Sequence, residues 1–203
     1  MILGINATAN PIYYAAFSDT FSVKYAWDGL GKIELLSQRL SDVLKDYNQL
    51  DGLFTILGPG NYTGIRLALT TMKMLSKITG APLYGMSLFE AYMGMVFKNE
   101  LSILTSPSRK GWLNAQVFQS TSSSSLPISS MNQIQVSAFD HWISSFEAPV
   151  YWGHFGDLTH TTKCIPDYIS LDILAVLECY SEKIRNTVQT ERFSPIYSYP
   201  AVR

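Results

Sequence analysis

Charged residues are scarce in this chain of 203 residues: Asp, Glu, Lys and Arg together make up only 15% of it, whereas a typical soluble domain has about 25%. The formal net charge is −1, and no run of basic residues occurs. The chain therefore lacks the electrostatic signature of direct binding to DNA or RNA. A surface so poor in charge must be covered by uncharged polar and aromatic side chains, or in part by another protein.

Cysteine and long apolar runs are lacking too. The two cysteines, Cys164 and Cys179, do not make a disulfide framework, and the residues beside them have no metal-ligand spacing. No apolar run reaches the length of a membrane span, and the first residues lack the basic segment of a signal peptide. We therefore expect a cytoplasmic protein that does not associate with a membrane.

What the sequence does contain is an alternation of strand and helix patterns. Apolar segments without helical spacing predict strands at residues 2–5, 12–17, 21–27, 53–57, 83–86, 101–104, 112–119 and 150–152. Apolar residues three or four apart predict helices at residues 32–48, 65–78, 88–97, 138–145 and 169–184. Three successive strands, followed by strands that alternate with helices, predict an α/β protein whose mostly parallel sheet begins with antiparallel strands.

Between a predicted strand and a predicted helix lies a glycine-rich segment, Gly58-Pro59-Gly60-Asn61-Tyr62-Thr63-Gly64-Ile65-Arg66. Such a junction invites a phosphate-binding interpretation, because free N–H groups at a helix N-terminus attract anions. A P-loop, however, has four residues between its glycines, followed by Lys. Here only three residues separate Gly60 from Gly64, Ile65 stands in place of the lysine, and Pro59 has no N–H to donate. We therefore predict a structural role for the turn-forming residues, which are Gly58, Pro59, Gly60, Thr63 and Gly64.

The helix after this segment is apolar on more than one side. One line of residues contains Ile65, Leu69 and Met72, and a second contains Leu67, Met74 and Ile78. The charged residues, Arg66, Lys73 and Lys77, form a single polar line. A helix of this kind lies deep in a core or between a core and a partner. We expect one face to pack on the protein's own sheet and the other to meet a partner.

Catalytic and metal-binding patterns are weak. No G-x-S-x-G motif occurs, and the predicted strand ends carry Asn6 and Gly58, where an ATP-dependent enzyme would need a carboxylate for Mg²⁺. His154 and His160, with Asp157 between them, could be drawn as a ligand set, but loop histidines are more often solvated. We therefore predict no catalytic residue, no metal site and no cofactor.

The glycine-rich segment also carries a family resemblance. Together with Gly80, Pro82, Ser87 and Glu90-Ala91 downstream, it resembles the GPGSFTGLR signature of the bacterial TsaB (YeaZ) family, and the resemblance is strong over residues 1 to about 95. It implies the actin-like/Hsp70-like/sugar-kinase (ASKHA, RNase H-like) architecture. In that architecture, two related lobes, here residues 1–100 and 101–203, have central mixed sheets flanked by helices.

The resemblance also implies a function. TsaB proteins are non-catalytic subunits that bind and activate TsaD, which transfers threonylcarbamoyl to adenosine 37 of tRNA, and a TsaE-type ATPase joins the same complex. It implies that tRNA is contacted only indirectly, and it leaves homodimer formation open. Two N-lobe helices form the family's interface, so the residues expected to meet a partner are Leu36, Leu40, Leu44, Ile65, Arg66, Leu69, Met72 and Lys73.

The sequence departs from the family pattern at several places, two of which bear on what the chain can bind. Asn6 replaces the family's Asp after the first strand, which further lowers any capacity to bind a nucleotide. The second-lobe stretch at residues 107–114 keeps only Arg109 and Gly111 of the family's pattern, which puts contacts made by that lobe in doubt. Two alternatives stay open: an ATP-binding enzyme of the same fold, kinase-like or hydrolytic, and a glycoprotease-like metallopeptidase.

Overall fold

The computed structural model describes residues 1–27, 36–45, 50–95, 101–121, 124–146, 150–153, 164–165, 171–186 and 194–196. The side chains of residues 36, 37, 39, 43, 150–153 and 164–165 lie outside the description. The chain divides into two compact units. The first contains Met1–Leu88 and Leu171–Tyr197, and the second contains Phe89–Ser170 and Ser198–Arg203.

The first unit has one sheet of five strands. These strands are β1 (Ile2–Asn6), β2 (Ile12–Phe17), β3 (Ser22–Trp27), β4 (Gly52–Ile56) and β5 (Leu83–Met86). They lie in the order β3-β2-β1-β4-β5. β1 pairs antiparallel with β2 and parallel with β4, and β4 pairs parallel with β5. The predicted succession of three antiparallel strands followed by parallel strands is therefore confirmed.

Helices cover this sheet. They are α1 (Leu36–Lys45), α2 (Tyr62–Thr79) and α5 (Ile173–Arg185), and α3 (Leu88–Met93) begins where this part of the unit ends. Helix α2 contacts β1, β4 and β5, and α5 contacts β1, β2 and β4. Every residue of β1 and β4 is buried, which explains why these central strands are continuous apolar runs instead of alternating ones.

The second unit has one sheet of six strands. They are β6 (Leu101–Pro107), β7 (Trp112–Ser120), β8 (Ser125–Pro127), β9 (Asn132–Gln135), β10 (Val150–Gly153) and β11 (Cys164–Ile165). A short 3-10 helix, Val136–Ala138, leads into helix α4 (Phe139–Ile143). Phe139 is fully buried in a small core that also contains Ile103 and Val117.

The second sheet follows the same plan as the first. Its strands lie in the order β11-β10-β6-β7-β8, with β9 also paired to β7. Its first strand, β6, pairs antiparallel with β7 and parallel with β10, and β10 pairs parallel with β11. The two units thus share strand order and strand direction, which confirms the prediction of two related lobes with mixed sheets.

The assignment of helix α5 differs from the prediction, which placed all of residues 101–203 in the second lobe. Residues 171–197 belong to the first unit. The cause is the buried face of α5, whose apolar side chains pack on the first sheet; these are Ile173, Val176, Leu177 and Ile184. Two ion pairs hold its ends. The Lys24 ammonium lies 2.6 Å from the Asp172 carboxylate, and the Arg185 guanidinium lies 2.8 Å from that of Asp19.

Two strand glycines allow α5 to approach closely. A Cβ placed on Gly4 would lie 2.6 Å from Cδ2 of Leu177, and one placed on Gly52 would lie 2.6 Å from Cγ2 of Ile184. Real Cβ atoms essentially never come this close to another heavy atom. Gly4 and Gly52 therefore leave room for two α5 side chains that are seven residues, or two helical turns, apart.

Candidate functional site

The glycine-rich loop between β4 and α2 is packed against the chain itself. Gly60 has φ +155°, and a Cβ there would lie 2.3 Å from the carbonyl oxygen of Thr8. A Cβ on Gly64 would lie 2.5 Å from the carbonyl oxygen of Ala7. The backbone N–H of Asn61 donates a hydrogen bond of 2.7 Å to the Thr8 carbonyl. The residues that follow β1 therefore fill the space over this loop, where a phosphate would have to bind.

The polar groups around the loop also have partners within the chain. Asn61 caps α2, because its side-chain Oδ1 accepts from the N–H of Gly64 at 3.1 Å. Oδ1 of Asn6, at the end of β1, accepts from both the N–H and the hydroxyl of Thr8, at 3.1 and 2.7 Å. Asn6 thus stabilises a turn at the position where a nucleotide enzyme of this architecture would need a carboxylate.

The far side of the loop contacts the C-terminal part of the first unit. A Cβ on Gly58, where φ is +118°, would lie 2.5 Å from the carbonyl oxygen of Ile196. The N–H of Ile196 donates to the carbonyl of Leu57 at 2.7 Å. Gly58, Gly60 and Gly64 therefore lie where any side chain would clash with the backbone of a neighbouring segment, so their role in the loop is structural. Thr63 differs, since it lies exposed in the first turn of α2 and outside the loop.

Helix α2 has a buried face and an exposed face, as its sequence predicts. The buried residues are Gly64, Ile65, Ala68, Leu69, Met72 and Ser76. On the opposite side, five exposed residues follow one another at intervals of four; they are Tyr62, Arg66, Thr70, Met74 and Ile78. We call these five residues the outer ridge. A row with this spacing is the kind of ridge that fits into the groove of another helix.

The outer ridge is apolar over most of its length. Tyr62 is 51% exposed, Met74 56% and Ile78 72%. The Arg66 guanidinium donates a hydrogen bond of 2.9 Å to the Tyr62 hydroxyl and lies 5.3 Å from the centroid of its ring. This contact holds two long side chains in place at the N-terminal end of the ridge.

The structure corrects half of the predicted interface residues. Leu40, Ile65, Leu69 and Met72 are at most 3% exposed and lie in the core of the first unit, so they have almost no surface to offer a partner. Helical spacing alone does not distinguish a core line from an interface line, because both are apolar.

The remaining four predicted residues have different positions. Leu44 is half-buried against the same core. Leu36 begins α1, but its side chain lies outside the described residues. Arg66 and Lys73 are exposed on α2. Tyr62 and Thr70 were missed, although the interval of four residues that joins them to Met74 and Ile78 was present in the sequence.

The described part of the chain gives no support to a metal site. Within it, no three His, Cys, Asp or Glu side chains are placed to hold a metal ion. The candidate set His154, Asp157 and His160 lies outside the described residues. None of the described helices is long and apolar enough to cross a membrane.

Comparison with known proteins agrees with this architecture. No protein-family model and no curated protein matches the sequence. A solved structure of an uncharacterized Pseudomonas aeruginosa protein with similarity to peptidase YEAZ is 14% identical, with a TM-score of 0.74, over 98% of this chain and 99% of that one. YeaZ from Pseudomonas aeruginosa is 12% identical, with a TM-score of 0.73, over 96% and 99%. This chain has the fold of these structures, so the resemblance seen in the sequence is confirmed at the level of fold.

Proposed function

We propose that this chain is a TsaB-like accessory subunit that binds and activates a TsaD-type catalytic subunit for threonylcarbamoyl transfer to adenosine 37 of tRNA. The observation that carries the proposal is the outer ridge of α2, an exposed line that is largely apolar, opposite a fully buried one. The shared fold with YeaZ and the GPGNYTGIR segment support the same assignment. In this function the chain performs no chemistry, a TsaE-type ATPase joins the same complex, and the chain contacts the tRNA only indirectly.

The outer ridge has the composition of an interface. Burying a Met or Ile side chain fully is worth about 1.5–3 kcal/mol, and Met74 and Ile78 each have more than half of their surface available for this. Tyr and Arg, which pair at the N-terminal end of the ridge, are enriched in interfaces. Lys73 and Lys77 are exposed beside the ridge, so we expect carboxylates on the facing surface of the partner.

The packing of the glycine-rich loop argues against the ATP-binding alternative. A phosphate at the start of α2 would have to displace the backbone of Ala7 and Thr8, which lies within 2.5 Å of the Cβ positions of Gly60 and Gly64. The cap that Asn61 supplies would also be lost. We therefore expect isothermal titration calorimetry with ATP and Mg²⁺ to give no binding to the purified chain, and micromolar binding would favour the enzyme alternative.

The binding test uses substitutions on the outer ridge. We expect the double variant Met74→Asp with Ile78→Asp to bind a TsaD-type subunit at least 100-fold more weakly, because each change places a charge in a dry apolar contact. The matched control is Leu126→Asp with Ile128→Asp, since these two residues are 65% and 57% exposed in the second unit. A substitution at Leu69 is unsuitable because that residue is buried and the protein would be destabilised.

Two readouts decide the outcome. Co-purification with the TsaD-type subunit measures binding, and reconstituted formation of threonylcarbamoyladenosine in tRNA measures activation. We expect wild type and the control variant to support both, and the ridge variant to support neither while keeping its melting temperature. Equal binding by the ridge and control variants would show that the ridge is not the interface. Failure of wild type in both assays would refute the proposed function.

A further inference from the structure

The second unit contains a groove that the proposed function does not use. Its volume is about 530 Å³, and the residues that line it are Trp112, Gln133, Ile134, Gln135, Ala138, His141, Trp142 and Ser145. One wall is strand β9, and the other is formed by helix α4 with the residues just before and after it. We call this the β9 groove. It lies in the second unit, so its test is independent of the outer ridge.

Strand β9 is an open sheet edge. It pairs with β7 on one side and with no other strand of the described chain. The N–H of Val136 donates to the carbonyl of Gly111 at 3.0 Å, next to the facing residues Trp112 and Gln135. In an antiparallel pair of strands, hydrogen-bonded and non-hydrogen-bonded residue pairs alternate. Because Gly111 and Val136 form a hydrogen-bonded pair, Trp112 and Gln135 form a non-hydrogen-bonded one, and the N–H and C=O of Gln135 point away from β7. By alternation along the strand, those of Gln133 do the same.

These outward backbone groups define what the groove can bind. Within the described ranges, the N–H and C=O of Gln133 and the N–H of Gln135 make no hydrogen bond to another residue. The C=O of Gln135, which is the N-cap of the 3-10 helix, accepts the first hydrogen bond of that helix. Such a row of donors and acceptors is satisfied by a chain in the extended conformation, which adds as one more strand. The edge also lacks the Lys, Glu or Pro residues that commonly block such pairing, since its sequence is Asn-Gln-Ile-Gln.

The wall opposite β9 is aromatic and firmly packed. The ring centroids of Trp142 and Phe139 lie 6.0 Å apart, and those of Trp142 and Phe146 lie 5.1 Å apart. Phe139 is fully buried, so Trp142 is supported from beneath. A groove between a strand edge and a helix, with a fixed aromatic wall, suits apolar side chains that project from one side of an added strand.

The charges around the groove favour an acidic sequence over a basic one. No carboxylate occurs among the described residues that line it, and His141 is the one titratable side chain among them. The Arg109 guanidinium lies 4.2 Å from the centroid of the Trp112 ring, at one end of the groove, and Lys110 follows it in the turn between β6 and β7. A carboxylate on the bound segment would be attracted to this end.

We propose that the β9 groove binds an extended peptide segment of a partner protein by strand addition. The backbone of the segment pairs with the N–H and C=O of Gln133 and with the N–H of Gln135. Its apolar side chains at alternate positions lie against Trp142, and an acidic residue lies near Arg109. This interaction is additional to the function proposed above, and nothing in it requires the outer ridge.

A proline substitution tests the backbone pairing directly. Gln135 has φ −65°, which is the angle that proline requires, and its N–H takes no part in the pairing with β7. Gln135→Pro therefore removes one outward donor without disturbing β9. Gln135→Ala is the matched control, because it removes the same side chain and keeps the N–H. Equal melting temperatures for the two variants will verify that both are folded.

The probe is a displayed library of random seven-residue peptides, selected on the full-length chain. We expect selected peptides with apolar residues at alternate positions and an acidic residue toward one end. Gln135→Pro should bind these peptides at least fivefold more weakly than Gln135→Ala does, as expected for one lost hydrogen bond, because both variants lack the Gln135 side chain and only Gln135→Ala keeps the N–H. Methylation of every second backbone nitrogen of a selected peptide should abolish binding when the methylated nitrogens are those that face β9. Methylation of the other set of nitrogens, which face away from β9, should leave binding intact.

Several outcomes would overturn the proposal. They are the recovery of no binding peptide, peptides with helical spacing of their apolar residues, and equal affinity for the Pro and Ala variants. Displacement of a selected peptide by a ten-residue oligothymidylate would instead favour single-stranded nucleic acid stacked on the tryptophans, and it would overturn the peptide proposal as well.

Discussion

The contact between Gly52 and Ile184 gives a quantitative test of how α5 is held on the first sheet. We predict that Gly52→Ala lowers the stability of the first unit, although alanine usually stabilises a strand relative to glycine by about 0.5–1 kcal/mol. The new Cβ would lie 2.6 Å from Cγ2 of Ile184. That methyl group is bonded directly to Cβ of a β-branched residue, which has a single favoured rotamer in a helix, so it cannot turn away.

The expected loss of stability in Gly52→Ala is the difference between two opposing effects. Overpacking of a dense core costs about 1–3 kcal/mol, and subtracting the intrinsic gain leaves a net loss of about 1 kcal/mol. Ile184→Ala alone should cost about 3 kcal/mol, because Ile184 is fully buried and its loss leaves a cavity. In the double variant the methyl group introduced by Gly52→Ala enters that cavity. We therefore expect the double variant to lose about 1–2 kcal/mol less than the sum of the single losses.

A second glycine supplies the comparison. A Cβ on Gly4 would also lie 2.6 Å from an α5 atom, but that atom is Cδ2 at the end of the Leu177 side chain. The end of a leucine side chain can move, so we expect Gly4→Ala to destabilise the unit less than Gly52→Ala does. The contrast separates the effect of a rigid neighbour from that of mere proximity.

Urea unfolding gives the free-energy differences, and amide hydrogen exchange in β1 and β4 assigns them to the first unit. A Gly52→Ala variant as stable as wild type, or a double variant without coupling between the two positions, would refute this account of how α5 packs on the sheet. A loss for Gly4→Ala as large as that for Gly52→Ala would contradict the argument about rigidity.

Two further predictions concern a charge and a glycine. Burial raises the pKa of the Asp172 carboxyl, but the hydrogen bond from Lys24, the backbone N–H groups of α5 and the charge of Lys24 outweigh this and leave the pKa lowered. We therefore expect wild type to be more stable than Asp172→Asn above about pH 4, and this difference to vanish as the pH falls through the lowered pKa. The difference should be at most about 1 kcal/mol, because both side chains are more than 40% exposed. A difference in thermal stability that grew on acidification would contradict this prediction. Gly60→Ala should destabilise the chain more than Gly111→Ala. A Cβ at residue 60 would meet the Thr8 carbonyl, whereas a Cβ at residue 111, where φ is +75°, would meet nothing within 4 Å. Equal urea midpoints for the two variants would contradict this prediction.

The sequence predicts the sheets well because each strand and helix carries its own local pattern. The central strands β1 and β4 are apolar without interruption, and α2 ends at Gly80 in the left-handed conformation, as a glycine followed by Ala-Pro indicates. The glycine-rich segment also predicts a loop that does not bind phosphate, because the spacing of its glycines and the identity of Ile65 are visible without coordinates.

What the sequence does not reveal is the choice among equivalent apolar surfaces. The pattern of α5 predicts a helix, but it does not say which of two similar sheets the helix covers. That choice depends on Gly4 and Gly52, whose meaning appears only when the strands lie side by side. In the same way, Leu69 and Met74 are both apolar residues of α2, and only the packing of the sheet shows that Leu69 is buried and Met74 exposed.

The place of α5 has a consequence for the nascent chain. A ribosome adds residues 171–186 only after it has made strands β6 to β11, so the first sheet leaves the exit tunnel long before the helix that covers one of its faces. Until then, the side of β1 and β4 at Gly4 and Gly52 lacks its cover. The first unit is thus begun before the second, but it receives its covering helix only after the strands of the second sheet have been synthesised, which exposes apolar strands to chaperones and to aggregation during translation.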